Sequence, residues 1–104
     1  MNAYAGDYMD DDFQTANKLA SICNNHYQEK ICGAYIVGYL DALRLASKSS
    51  HITVNDQRSS SISGLTIVRE INNAITREAE VGDYSASIVI AAIFKKLGVI
   101  DIKF

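Results

Sequence analysis

Apolar residues return at three- and four-residue intervals along most of this chain, a spacing that predicts helices rather than strands. Phe13, Ala16, Leu19, Ala20 and Cys23 form one such stripe and set a first helix over about Asp12 to Cys23. Asn24, Asn25 and His26 then break it with turn-prone residues. A second helix is expected over about Gln28 to Ser47. One stripe runs through Ile31, Ala34, Tyr35, Gly38, Ala42 and Leu45, and a second apolar set is Ile36, Leu40 and Leu43. A helix apolar on two sides sits at the centre of a fold or in an interface.

The next stretch, KSSHITVNDQRSSS, shows no periodicity and is expected to be a polar connection. A third helix over about Ile62 to Arg77 turns Leu65, Val68, Ile71 and Ile75 inward, with Arg69, Glu70, Asn72, Asn73 and Thr76 outward. The acidic loop EAEVGDY leads into a fourth helix, about Ser85 to Leu97. Asp83 or Ser85 is placed to cap it, Lys95 and Lys96 complement its dipole, and Gly98 stops it. This helix is apolar almost all round, so it is the expected core helix. The tail VIDIKF alternates and is expected to lie extended.

The chain contains no proline, and no Asn-Gly or Asp-Gly turn separates alternating strands. The expected fold is therefore all-α: a small four-helix bundle in one domain covering residues 1–104. Residues 1–11 read as an acidic lead-in, with Asp10 to Asp12 supplying cap and dipole charge to the first helix. Within the second helix, Ala34, Gly38 and Ala42 recur every four residues and form a smooth line. Such a line lets another helix approach closely, offsetting the roughly 1 kcal/mol that Gly costs in a helix interior. Tyr35 and Tyr39 flank that line, and packing is their expected role.

Charge and composition remove several functions. The formal net charge is -2 and no basic run is present, so nucleic acid is not an expected partner. The longest apolar run, Ile88 to Phe94, falls well short of the roughly 20 residues of a membrane span. The start, Met1 followed by NAYAGDYMDDD, has neither a basic region nor an apolar one. A cytoplasmic chain and a mature exported chain both remain open.

The two cysteines, Cys23 and Cys32, would lie about 13.5 Å apart on one unbroken helix. A disulfide needs Cα atoms within about 7 Å, so it requires a turn at NNHYQ. Such a staple would contribute roughly 2.5–3 kcal/mol in the chain-entropy description. Two buried free thiols are the alternative. A zinc site would have to draw on Cys23, His26, Cys32 and His51, whose spacing matches no familiar structural set. A Cys–His nucleophile lacks an orienting carboxylate, and no glycine-rich phosphate loop is present. No active site assembles, and no metal, cofactor or enzymatic activity is expected.

Cys23, a short turn, and then C-G-A-Y-I-x-G-Y-x-D-A over Cys32 to Ala42 are followed by an amphipathic helix, an acidic loop and SASIVIAAIFKKLG. That order resembles the Rap1a/Tai family of immunity proteins against type VI secretion amidases, with the Tai4 branch nearest. Cys32, Tyr35, Ile36, Gly38, Asp41 and Ala42 match its recurring motif. The likeness spans about Phe13 to Gly98. The further cysteine pair of many relatives is missing, with HITVNDQ in place of its first member.

The resemblance implies a periplasmic, disulfide-bonded, all-helical homodimer. Such a dimer would form a heterotetramer with a cognate peptidoglycan amidase of the Tae4-like cysteine type. It would block a cleft that cleaves between D-Glu and diaminopimelate. Beside it, the residues point to the acidic loop as the contact: Glu78, Glu80 and Asp83, with Val81, a flexible Gly82, and Tyr84 as an aromatic anchor. A second expected contact surface is Lys48, Ser50, His51, Asp56, Gln57 and Arg58. The alternative function is a small periplasmic acid-stress chaperone that binds unfolded clients.

Overall fold

A computed structural model describes residues 15–48 and 51–102. The acidic lead-in, Phe13 and Ser50 lie outside the described residues. Within them the chain is a small all-α fold with one disulfide and a two-stranded ribbon. Helix α1 is Ala16–Cys23, and its cap is Thr15, whose hydroxyl accepts the Lys18 N–H at 3.2 Å. The helix thus starts later than Asp12, because Thr15 is already extended, with φ -112° and ψ 153°.

A 3-10 turn, His26–Gln28, follows, where Asn25 Oδ1 accepts the Tyr27 N–H at 2.9 Å. It opens directly into α2, Glu29–Ala46. The segment expected to be a plain connection contains two elements, β1 (Ile52–Val54) and the short α3 (Asp56–Ser60). Asn55 caps α3 by accepting the Arg58 N–H at 2.9 Å. Ser63 then caps α4, Gly64–Arg77, by accepting from Thr66 N–H at 3.2 Å. A second 3-10 turn, Ala79–Asp83, leads to α5, Ala86–Lys96. The tail is β2, Ile100–Ile102, antiparallel to β1 with Ile52 opposite Ile102 and Val54 opposite Ile100.

Helix α5 is the core helix, as its all-round apolar sequence predicts. Ala86, Val89, Ile90, Ile93 and Phe94 are buried on it, packed with Leu19 and Ile22 of α1 and Ile67 and Ile71 of α4. Its end is a Schellman stop: Gly98 takes φ 78°, and the Val99 N–H reaches back to the Phe94 carbonyl at 2.9 Å. Val99 is thereby turned into the core. At the other end Ser85 holds the cap position, but its hydroxyl pairs with Ser87 at 2.8 Å instead of capping the backbone. Along α4, Ile67 and Ile71 lead inward with Val68 and Ile75 beside them, whereas Leu65 is 71% exposed. Leu65 falls in the first turn of α4, at the edge of that face.

Helix α2 is peripheral. Cys32 is its one buried residue, and Tyr35, Ile36, Tyr39, Leu40 and Leu43 lean on the core from outside. The line of Ala34, Gly38 and Ala42 is not a packing line among the described residues: all three are exposed, and a Cβ on Gly38 would meet nothing within 4 Å. The tyrosines take the packing role instead. Tyr39 stacks with Tyr35 at 6.3 Å, meets Phe94 at 5.9 Å, and donates its hydroxyl to the Ser87 carbonyl at 2.7 Å.

Candidate functional site

The Cys23–Cys32 disulfide forms across the turn between α1 and α2, with Cα atoms 4.9 Å apart. Both residues are buried. The bond consumes both sulfurs, so neither a zinc site nor a cysteine nucleophile can use them. Among the described residues no group of three or more His, Cys, Asp or Glu gathers as a metal site. His26 and His51 are exposed. Asp41 faces solvent and pairs with Arg44 at 2.9 Å.

The acidic loop is built more tightly than a free interhelical loop. The Glu78 N–H closes α4 on the Ala74 carbonyl at 3.1 Å, and Val81 and Tyr84 N–H groups bond Glu78 and Val81 carbonyls at 2.9 and 3.0 Å. The Ala16 N–H donates to the Tyr84 carbonyl at 2.9 Å, and Thr15 and Ser85 form an isolated antiparallel bridge. The start of α1 therefore holds the loop's far end. Gly82 is not the flexible hinge its sequence position suggests. It is buried, and the Asn17 side chain occupies the space where a Cβ would stand. Val81 packs against the core.

What remains outward is charge and one ring. Glu78, Glu80 and Asp83 are exposed, and none makes an ion pair among the described residues. Tyr84 is 49% exposed and Ile88, one turn along α5, is 64% exposed. Tyr84 and Val81 also line a largely apolar groove of about 330 Å³ between α4 and α5. Arg77, Glu70 and Lys96 supply its polar lining. Lys96 holds Glu70 at 2.8 Å, and this hydrogen bond, aided by the Lys96, Arg77 and Arg69 charges, keeps the Glu70 carboxyl below its ordinary pKa. Ile88 and Arg77 flank the loop in sequence but were not legible as site residues, because only the crossing of α4 on α5 brings both of them to one groove.

The second predicted surface does not join the first. Asp56 pairs with Arg44 at 2.8 Å, and Arg58 Nε donates to the Leu97 carbonyl at 2.8 Å. Those contacts tie α3 to α2 and to the end of α5, so Asp56 and Arg58 work within the fold. Lys48, His51 and Gln57 are exposed. Tyr84 precedes the start of α5 and Leu97 follows its end, separating the two surfaces by the helix length of about 16 Å. A second cavity of about 180 Å³ lies between Ile36 and Leu40 of α2, Ile62, Ile67 and Phe94, and it too is mainly apolar. Comparison with family models, curated proteins and solved structures returned no match to this chain.

Proposed function

We propose that this chain is an immunity-type inhibitor that binds a peptidoglycan amidase of type VI secretion and occludes its cleft. The observation that carries the reading is the loop 78–84. It presents three carboxylates that make no ion pair among the described residues and a half-exposed tyrosine on a backbone already held by α1 and the α4 end. A rigid acidic projection suits a groove whose substrate is itself rich in carboxylates, since such a groove must be electropositive. Pre-organisation avoids the ordering cost that a mobile loop would incur on binding. Tyr84 and Ile88 add apolar contact area at the base of the projection.

In this reading the inhibitor acts by occupancy and needs no chemistry of its own. The disulfide accords with an oxidising compartment, and the periplasm is where such an amidase meets its wall substrate. The inhibitor acts as a homodimer and so forms a heterotetramer with the enzyme.

The test is hydrolysis of peptidoglycan tetrapeptide by purified cysteine amidases of type VI effectors, starting with any encoded beside this gene. Stoichiometric inhibition by the wild-type chain, lost at least tenfold in a Glu80→Lys/Asp83→Lys variant, supports the reading. Unchanged inhibition by that variant removes the loop from the contact. Absence of inhibition across the enzymes, together with suppression of unrelated client aggregation at low pH, moves the function to the chaperone class.

A further inference from the structure

Between α2 and the rest of the fold lies the apolar cavity of about 180 Å³, and its lining is graded from floor to mouth. Ile67, Phe94 and Val99 form the floor and are buried. Ile36, Leu40 and Ile62 stand half-buried above them as walls. Gly33, Val37 and Gly64 are exposed and frame the mouth. Among the described residues no charged side chain lines the cavity, and Ser59 supplies its one side-chain hydroxyl.

Neither glycine at the mouth is required by the backbone. Among the described residues only Gly98 takes a positive φ. Gly33 sits inside α2 and Gly64 opens α4, where a larger residue would favour the helix more. Close packing does not require them either, since a Cβ on either would meet nothing within 4 Å. What their missing side chains leave is an open passage to the floor.

Water is poorly held in such a space, because a buried water needs about two to four polar partners. Ser59 Oγ already donates to the Asp56 carbonyl at 2.9 Å and accepts from Arg44 Nη2 at 3.3 Å, which leaves it one lone pair. We infer that the cavity is a binding site for a small uncharged amphiphile, an aliphatic chain ending in a hydroxyl.

Volume sets the length of the chain. At the packing density of protein interiors, about 0.74, the space holds roughly 130 Å³ of ligand, or about eight carbon atoms. The hydroxyl of the ligand donates to the remaining lone pair of Ser59. Charge discriminates against a fatty acid of the same length. Beside Ser59, the single Arg44 guanidinium is held by Asp41 at 2.9 Å and Asp56 at 2.8 Å, so the cluster carries net negative charge. A carboxylate head entering there is repelled.

This site is independent of the inhibitor reading. It shares no lining residue with the groove beside the acidic loop, and it is measured without any amidase.

The experiment titrates the full chain with 1-octanol, followed by methyl NMR and by Tm, with sodium octanoate as the charged counterpart. Octanol should shift the methyl signals of Ile67 and Val99 and raise Tm, since a ligand of the folded state stabilises it. Octanoate should bind at least tenfold more weakly. Gly33→Leu and Gly64→Leu, made singly, fill the mouth, and each should weaken octanol binding at least tenfold with an unchanged circular dichroism spectrum. Gly38→Leu, which lies on α2 but outside the lining, should bind as wild type does. Absence of any methyl shift at octanol saturation overturns the inference. So does wild-type affinity in a folded mouth variant, an equal loss in Gly38→Leu, or octanoate binding as tightly as octanol.

Discussion

The carboxamide of Asn17 lies against Gly82, in the place where any other residue would carry its Cβ. Two segments far apart in sequence are thereby in direct contact, and the acidic turn is seated on the first helix. A methyl at position 82 displaces the Asn17 side chain, which is exposed and able to rotate away. Gly82→Ala should therefore cost only about 1 kcal/mol. Asn17→Gly in the same chain should recover most of it, and a double-mutant cycle from denaturant melts measures that coupling. Additive losses from the two substitutions would show that the contact has no energetic weight.

Reducing the Cys23–Cys32 bond frees a loop whose ends are nine residues apart. The chain-entropy description assigns it about 2.7 kcal/mol, which for a domain of this size lowers Tm by roughly 10–20 °C. Melting wild type with and without dithiothreitol should show this shift, and a Cys23→Ala/Cys32→Ala chain should melt near the reduced temperature whether or not dithiothreitol is present. Because α2 buries little else, its amides should lose hydrogen-exchange protection first.

Tyr39 binds the outer helix to the core helix through the Ser87 carbonyl. Tyr39→Phe keeps the ring contact with Phe94 and removes the hydroxyl, at a cost of about 1 kcal/mol. Burial, and then the neighbouring Tyr35, raises the pKa of Tyr39 above its ordinary value. The folded pKa is the higher one, so this contribution is complete below about pH 10 and is lost as pH rises through the folded value. Alkaline melts should show wild-type stability falling more steeply than that of Tyr39→Phe.

Glu70 titrates in the opposite sense. Its hydrogen bond from Lys96 lowers the folded pKa, so the stabilisation is present above the ordinary carboxylate value of about 4.3. It is lost as pH falls through the folded value. The pair is partly solvent-exposed, which limits it to at most about 1 kcal/mol. Between pH 7 and 3, wild type should converge on Glu70→Gln in stability; a constant gap would place the effect elsewhere.

The four long helices were legible because each stripe repeats at the helical period, whereas the five-residue α3 was not, and Gly98 marked the stop of α5 where Lys95 and Lys96 end the stripe. The acidic loop was legible as composition. Its rigidity was not, because Asn17 is an ordinary exposed position on α1 and nothing local connects it to Gly82. The ribbon escaped for a similar reason: Ile52 to Val54 is three residues long, and its partner Ile100 to Ile102 lies almost fifty positions away. The two faces of α2 were visible, but the choice of which one meets the core was not.

The sequence by itself determined the helical class, the order of the four long helices, the core identity of α5 and the possibility of a staple at the first turn. Those follow from periodicity and from residues close along the chain, where the backbone's own geometry sets the spacing. Tertiary structure decided that α2 lies outside, that its small-residue line faces solvent, that the two sulfurs meet, and that Gly82 rests on Asn17. Each of these depends on which of several apolar surfaces wins burial against a neighbour distant in sequence. That outcome is set by packing the whole chain at once rather than by any segment alone.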